Sequence, residues 1–110
     1  MPKFVTIGYG AEADYKRTPQ GLRDDAHAHD ARLRDRGALM GIAGKPVQVR
    51  NHLAQAVETT EGPFLSSSLP VAGFAIMEAD DLASAIALVS RTPCAVAFGV
   101  VEVWPLESAP

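Results

Sequence analysis

The residues best suited to chemistry lie between Leu22 and Leu33. At about 100° per residue in a helix, Leu22, Ala26, His29 and Leu33 fall on one side, so His29 points into an apolar stripe. Asp25 stands four residues earlier at the edge of that stripe, and the i,i+4 spacing lets the two side chains touch. A carboxylate beside an imidazole selects its tautomer and raises its pKa, which prepares a general base. Asp25 and His29 are therefore the candidate catalytic pair. The competing reading of His29 is a core or interface histidine with a satisfied hydrogen bond. His27 falls on the opposite side and is expected in solvent. His27, His29 and Asp30 look like metal ligands, but His-x-His on a helix splays the rings about 200° apart, so no metal site is expected.

A second group is scattered along the chain. Glu102 sits in an apolar strand-like run, in register with Val100 and Trp104, and a carboxylate there needs a partner or water. Arg91 is the candidate partner. Tyr9, Phe64 and Trp104 are candidates to line a pocket for an aromatic ligand, with Arg91 and Glu102 as its polar contacts; core packing is the competing role for the aromatics. Cys94 reads as structural or incidental, since an activated thiol needs a positive neighbour. Gly8-x-Gly10 lacks the third glycine of a dinucleotide fingerprint, and Glu12 and Asp14 would meet a phosphate with negative charge. Gly41-Ile42-Ala43-Gly44-Lys45-Pro46 lacks the spacing and the hydroxyl residue of a P-loop. No cofactor is expected.

These residues must be positioned by a short chain. Its 110 residues suit one domain, taken as residues 1–110. At 47% hydrophobic and 21% charged it can bury a core. The net charge is −3, and Arg17, Arg23, Arg32, Arg34 and Arg36 are interleaved with Asp24, Asp25, Asp30 and Asp35. That is a mixed helix surface rather than a nucleic-acid footprint. A lone cysteine rules out an intrachain disulfide and suits a reducing compartment. With no run of about 18 apolar residues and no leader-like start, no membrane span is expected and the cytoplasm is the default.

Lys3–Tyr9 reads as a strand with Val5, Ile7 and Tyr9 on one face. Thr18 as N-cap and Pro19 at the first position predict a helix over residues 19–36, ended by Gly37. Residues 38–43 read as a strand. Residues 47–50 and 55–60 read as a hairpin turning at Asn51-His52, where Asn tolerates positive φ. Residues 72–78 form a strand, Asp80 caps a second helix carrying Leu82, Ala85, Ile86 and Val89, Pro93 stops it, and residues 99–104 form the last strand, ended by Pro105. This order predicts an α+β, ferredoxin-like fold: an antiparallel sheet with two helices on one face. Both sheet faces are apolar. Val101 and Val103 alternate with Val100 and Trp104, and Phe74 and Ile76 with Ala75 and Met77. Two helices cover one face, so a second copy is expected on the other, with cover by the chain's own long loops as the competing reading.

Glu61-Gly62-Pro63-Phe64 resembles the Asp-Gly-Pro-Phe signature of the DGPF branch of the YCII/DGPF family. Gly73-Phe74, Glu78-Ala79-Asp80-Asp81-Leu82, Val101-Glu102-Val103-Trp104-Pro105 and Gly37-Ala38-Leu39 are similar to that branch in the same order. The resemblance implies a ferredoxin-like fold, a homodimeric α+β barrel and a cavity between helix and sheet. In the related YCII branch a helix His and an Asp-Pro form a proposed catalytic dyad. Those positions fall on Ala26 and on Thr92-Pro93 here, so neither dyad residue is kept. Two functions follow as expectations. One is a cofactor-independent enzyme doing acid–base chemistry on a small molecule in a pocket between the first helix and the sheet. The other is a non-catalytic ligand-binding or regulatory dimer. A pure interaction module is the third and least specific reading.

Overall fold

The computed structural model describes residues 1–108. Strand β1 (Lys3–Tyr9) runs into a short helix α1 (Glu12–Arg17) and then the long helix α2 (Gln20–Asp35). Strands β2 (Leu39–Ile42), β3 (Val47–Arg50), β4 (Glu58–Glu61) and β5 (Val71–Glu78) follow. Helices α3 (Leu82–Val89) and α4 (Pro93–Val96) lead to the last strand, β6 (Val100–Leu106). The main sheet has the order β2-β5-β1-β6 with every neighbouring pair antiparallel, while β3 and β4 form a separate ribbon. A split β-α-β unit of this order is the ferredoxin-like arrangement, so the α+β expectation holds.

Register separates the two sheet faces, because residues opposite one another share a face. Thr6 lies opposite Ala75 and Val103, and Phe4 opposite Met77. This side packs on the helices. Phe4, Ala75 and Met77 join Leu33 of α2 and Ala85 and Val89 of α3 in one buried cluster. On the other side Val5 lies opposite Ile76 and Trp104, and Ile7 opposite Phe74. No helix among the described residues covers them: Phe74 is 49% and Trp104 56% exposed in the single chain. The strand pattern thus places apolar side chains on both faces, as its composition demands.

Several local expectations shift for identifiable reasons. Helix α1 carries no capping signal in its sequence: its N-cap, Ala11, makes no side-chain bond. Because it exists, Thr18 ends a helix rather than starting one: its hydroxyl donates to Asp14 O at 2.8 Å, and Pro19 becomes the N-cap of α2. The buried stripe of α2 is Ala26, His29 and Leu33, while Leu22 in the first turn is exposed. Gly37 does close α2, at φ 99°, with Ala38 N donating to Leu33 O. Asp81, not Asp80, caps α3 by accepting from Ser84 N at 2.7 Å. Pro93 opens α4, where a missing N–H costs nothing; α3 has already ended, and the Thr92 hydroxyl donates to Val89 O. Strand β6 continues through Pro105, which an edge strand tolerates. In the ribbon, positive φ falls on Leu53 and Ala54 rather than on Asn51.

Candidate functional site

Between α2 and the sheet lies a cavity of ≈ 580 Å³, within the range of about 300–1,000 Å³ of small-molecule sites. Its floor is sheet: Thr6 and Gly8 of β1, Met40 of β2, Gly73 and Ala75 of β5. Small residues make that room. A Cβ on Gly8 would stand 2.9 Å from Cys94 Sγ, so glycine there lets α4 approach the strand.

The polar wall comes from α2. His27, Asp30 and Arg34, spaced i, i+3 and i+7, form one helical stripe and all line the cavity. Asp30 is half-buried, and its carboxylate makes no hydrogen bond or ion pair among the described residues. Burial pushes its pKa up, and the nearby Arg34, His27 and His29 pull it part of the way back. Cys94 enters from α4. Burial pushes its thiol up, and the Asp30 charge adds to that, which fits the structural reading. Helix α1 brings Tyr15, whose Oη is hydrogen-bonded to His27 Nε2 at 2.7 Å with the rings edge-on. His27 is exposed, as the helical wheel predicts, but it faces α1 at the cavity mouth.

The candidate residues named from sequence are dispersed. His29 is buried, and its Nε2–H donates to Leu88 O at 2.6 Å, tying α2 to the end of α3. A carbonyl only accepts, so this bond selects the tautomer. Asp25 is exposed, and no bond joins it to His29 among the described residues. Neither lines the cavity. Tyr9, Glu102 and Trp104 lie on the open sheet face. There the partner of Glu102 is Tyr9, at 2.6 Å, rather than Arg91, which is exposed after α3. Hydrogen bonding to Glu102, then burial and the charge of the carboxylate, hold the Tyr9 pKa above its usual value. Phe64 is exposed beside the ribbon, with the Arg50 guanidinium 5.8 Å from its ring centre.

Asp30, Arg34 and Thr6 were missed. The first two share a helical stripe adjacent to the apolar one, a signal present in the spacing. Thr6 carried none, since one hydroxyl in a strand looks like any other.

No group of three or more His, Cys, Asp or Glu side chains is disposed to hold a metal among the described residues. Nor is any described helix long and apolar enough to cross a membrane. No curated protein matches the sequence. The family model of the YCII-related domain matches residues 3–108, nearly the whole chain, over the same strands and helices that build the cavity. By that match, the chain belongs to the YCII-related family.

Proposed function

We propose that this protein is a homodimer that binds a compact small molecule in the cavity between α2 and the sheet and performs cofactor-independent proton transfer on it, with Asp30 as the acid–base group. The observation that carries this reading is Asp30 itself: a half-buried carboxyl on a cavity wall, without a partner among the described residues and biased by burial toward its neutral form. A carboxyl moved toward neutrality is suited to give and take protons. The dimer is supported by the apolar face of Val5, Ile7, Phe74, Ile76 and Trp104, which a second copy would cover by a two-fold, sheet-on-sheet contact. The lone thiol suits a reducing cytoplasm.

The test is solvent exchange. Small oxo compounds incubated with the protein in deuterated water should gain deuterium at the carbon beside the carbonyl, read by NMR. Asp30→Asn should slow this by about 10²–10⁴-fold, the usual share of general acid–base catalysis. Equal rates in the two proteins would remove Asp30 from the role. Native mass spectrometry tests the dimer, and Phe74→Asp should shift it to monomer.

A second reading is ligand binding without turnover. It is favoured by the histidines: His29 is committed to Leu88 O and His27 to Tyr15, so neither imidazole is free to serve as a second proton carrier. Binding of small molecules with no exchange would support it.

A further inference from the structure

Thr6 lies on the cavity floor and is only 5% exposed. Its hydroxyl makes no hydrogen bond among the described residues, yet it is not among the sealed, unsatisfied polar atoms, so it opens onto the cavity. Its neighbours on the helix-facing side of β1 are Phe4 and Gly8. Valine has the same shape and would fill this strand position without leaving a buried hydroxyl unpaired. A packing role alone does not call for threonine.

Arg34 stands at the mouth, exposed, with no ion pair among the described residues. Its planar guanidinium is built to hold a carboxylate through two parallel bonds. Asp30 lies four residues before it on the same face. The charged and titratable groups acting on Asp30 are His27, His29 and Arg34 on α2 and Cys94 on α4, and α1 brings Glu12 and Tyr15 to the same cavity. An anion on Arg34 would disfavour the ionised form of Asp30 further, leaving a carboxyl O–H to donate. Met40, Ile42, Val71, Val89 and Val101 make much of the remaining surface apolar; Glu12 and Tyr15 of α1 and Thr92 add polar groups, with the Glu12 carboxylate paired to Lys16 at 3.1 Å.

Resting on the cavity as the ligand site, we infer that it takes a compact, largely apolar carboxylic acid bearing a second oxygen, a carbonyl or hydroxyl, a few bonds from the carboxylate. Arg34 holds the carboxylate, and the Thr6 hydroxyl meets the second oxygen. An amine is the wrong ligand, since it would bring positive charge to Arg34.

Binding of four probes of similar bulk tests this: α-ketoisocaproate, its methyl ester, isocaproate and isoamylamine, each titrated by NMR against the full chain. The oxo acid should bind about tenfold more tightly than the ester and than isocaproate, one charge-assisted or buried hydrogen bond in each comparison. Arg34→Gln, an exposed change that leaves the core intact, should abolish the acid–ester difference and spare the other. Thr6→Val should abolish the oxo-acid preference over isocaproate, and Thr6→Ser should retain it. Failure of all four to bind, equal binding of ester or amine, or ratios unchanged in both variants would overturn the assignment. Selective binding without deuterium exchange would defeat the proton-transfer reading and leave this one standing. Exchange with no preference for the acid would defeat this one alone.

Discussion

Tyr9 Oη donates a hydrogen bond to Glu102 Oε1 at 2.6 Å, joining the central strand β1 to the edge strand β6 on the sheet face that no helix covers. The pair explains how a carboxylate is tolerated between Val100 and Trp104. The phenol supplies the partner that a polar group on an apolar surface requires.

The pair makes Tyr9 hard to ionise. Glu102 accepts its proton-bearing bond and repels the phenolate, so the folded pKa lies above the usual tyrosine value. The folded chain therefore holds this proton more tightly than the unfolded chain. The associated stability is whole below about pH 10 and is lost as pH rises through the raised value. Glu102→Gln should lower the Tyr9 midpoint, measured by phenolate absorbance in a Tyr15→Phe background.

Asp30 follows the same sign. Burial raises its folded pKa, so its contribution is whole below about pH 4 and is lost as pH rises through the raised value. Asp30→Asn should stabilise the protein at neutral pH, by less than about 1 kcal/mol because solvent still reaches and screens the group. The gain should vanish in acid. The same variant removes a charge that holds the Cys94 thiol up, so iodoacetamide should label Cys94 faster. Urea melts at two pH values and a labelling time course check both outcomes.

His29 holds α2 against the end of α3 through Leu88 O, in a buried position. His29→Ala removes that bond and leaves a void, so it should cost about 2–4 kcal/mol in urea unfolding. Probe affinity in the folded fraction should not change, because His29 does not line the cavity.

Gly99 is fixed by backbone contact. A Cβ there would overlap Tyr9 O and stand 2.6 Å from Cys94 O, and neither atom can rotate away. Gly99→Ala should destabilise by about 3 kcal/mol or more. A melting temperature close to that of the parent chain would show that the α4–β6 turn has another conformation.

Much of this architecture could be read from spacing. The pattern in Lys3–Tyr9 and in residues 72–78 identified strands, and the apolar residues on both faces of residues 72–78 and 99–104 identified the uncovered surface. Gly37 marked the end of α2. Capping was less legible at residues 14–19. There Thr18 has two chemically reasonable uses, and only the presence of α1 chooses between them. The candidate site was less legible still. The wheel correctly turned His29 inward, but inward meant Leu88 O, and the cavity lies beside the neighbouring stripe of His27, Asp30 and Arg34.

What the sequence by itself determined is which side of each element is apolar, because side-chain direction repeats with the local geometry of helix and strand. That suffices for the α+β order and the two greasy sheet faces. Tertiary structure alone decided which groups meet: Tyr9 with Glu102, His29 with Leu88, and Thr6 with Asp30, Arg34 and Cys94 around one cavity. Periodicity fixes a direction, whereas the neighbour found in that direction depends on how distant segments pack, and partnership sets burial, pKa and chemistry.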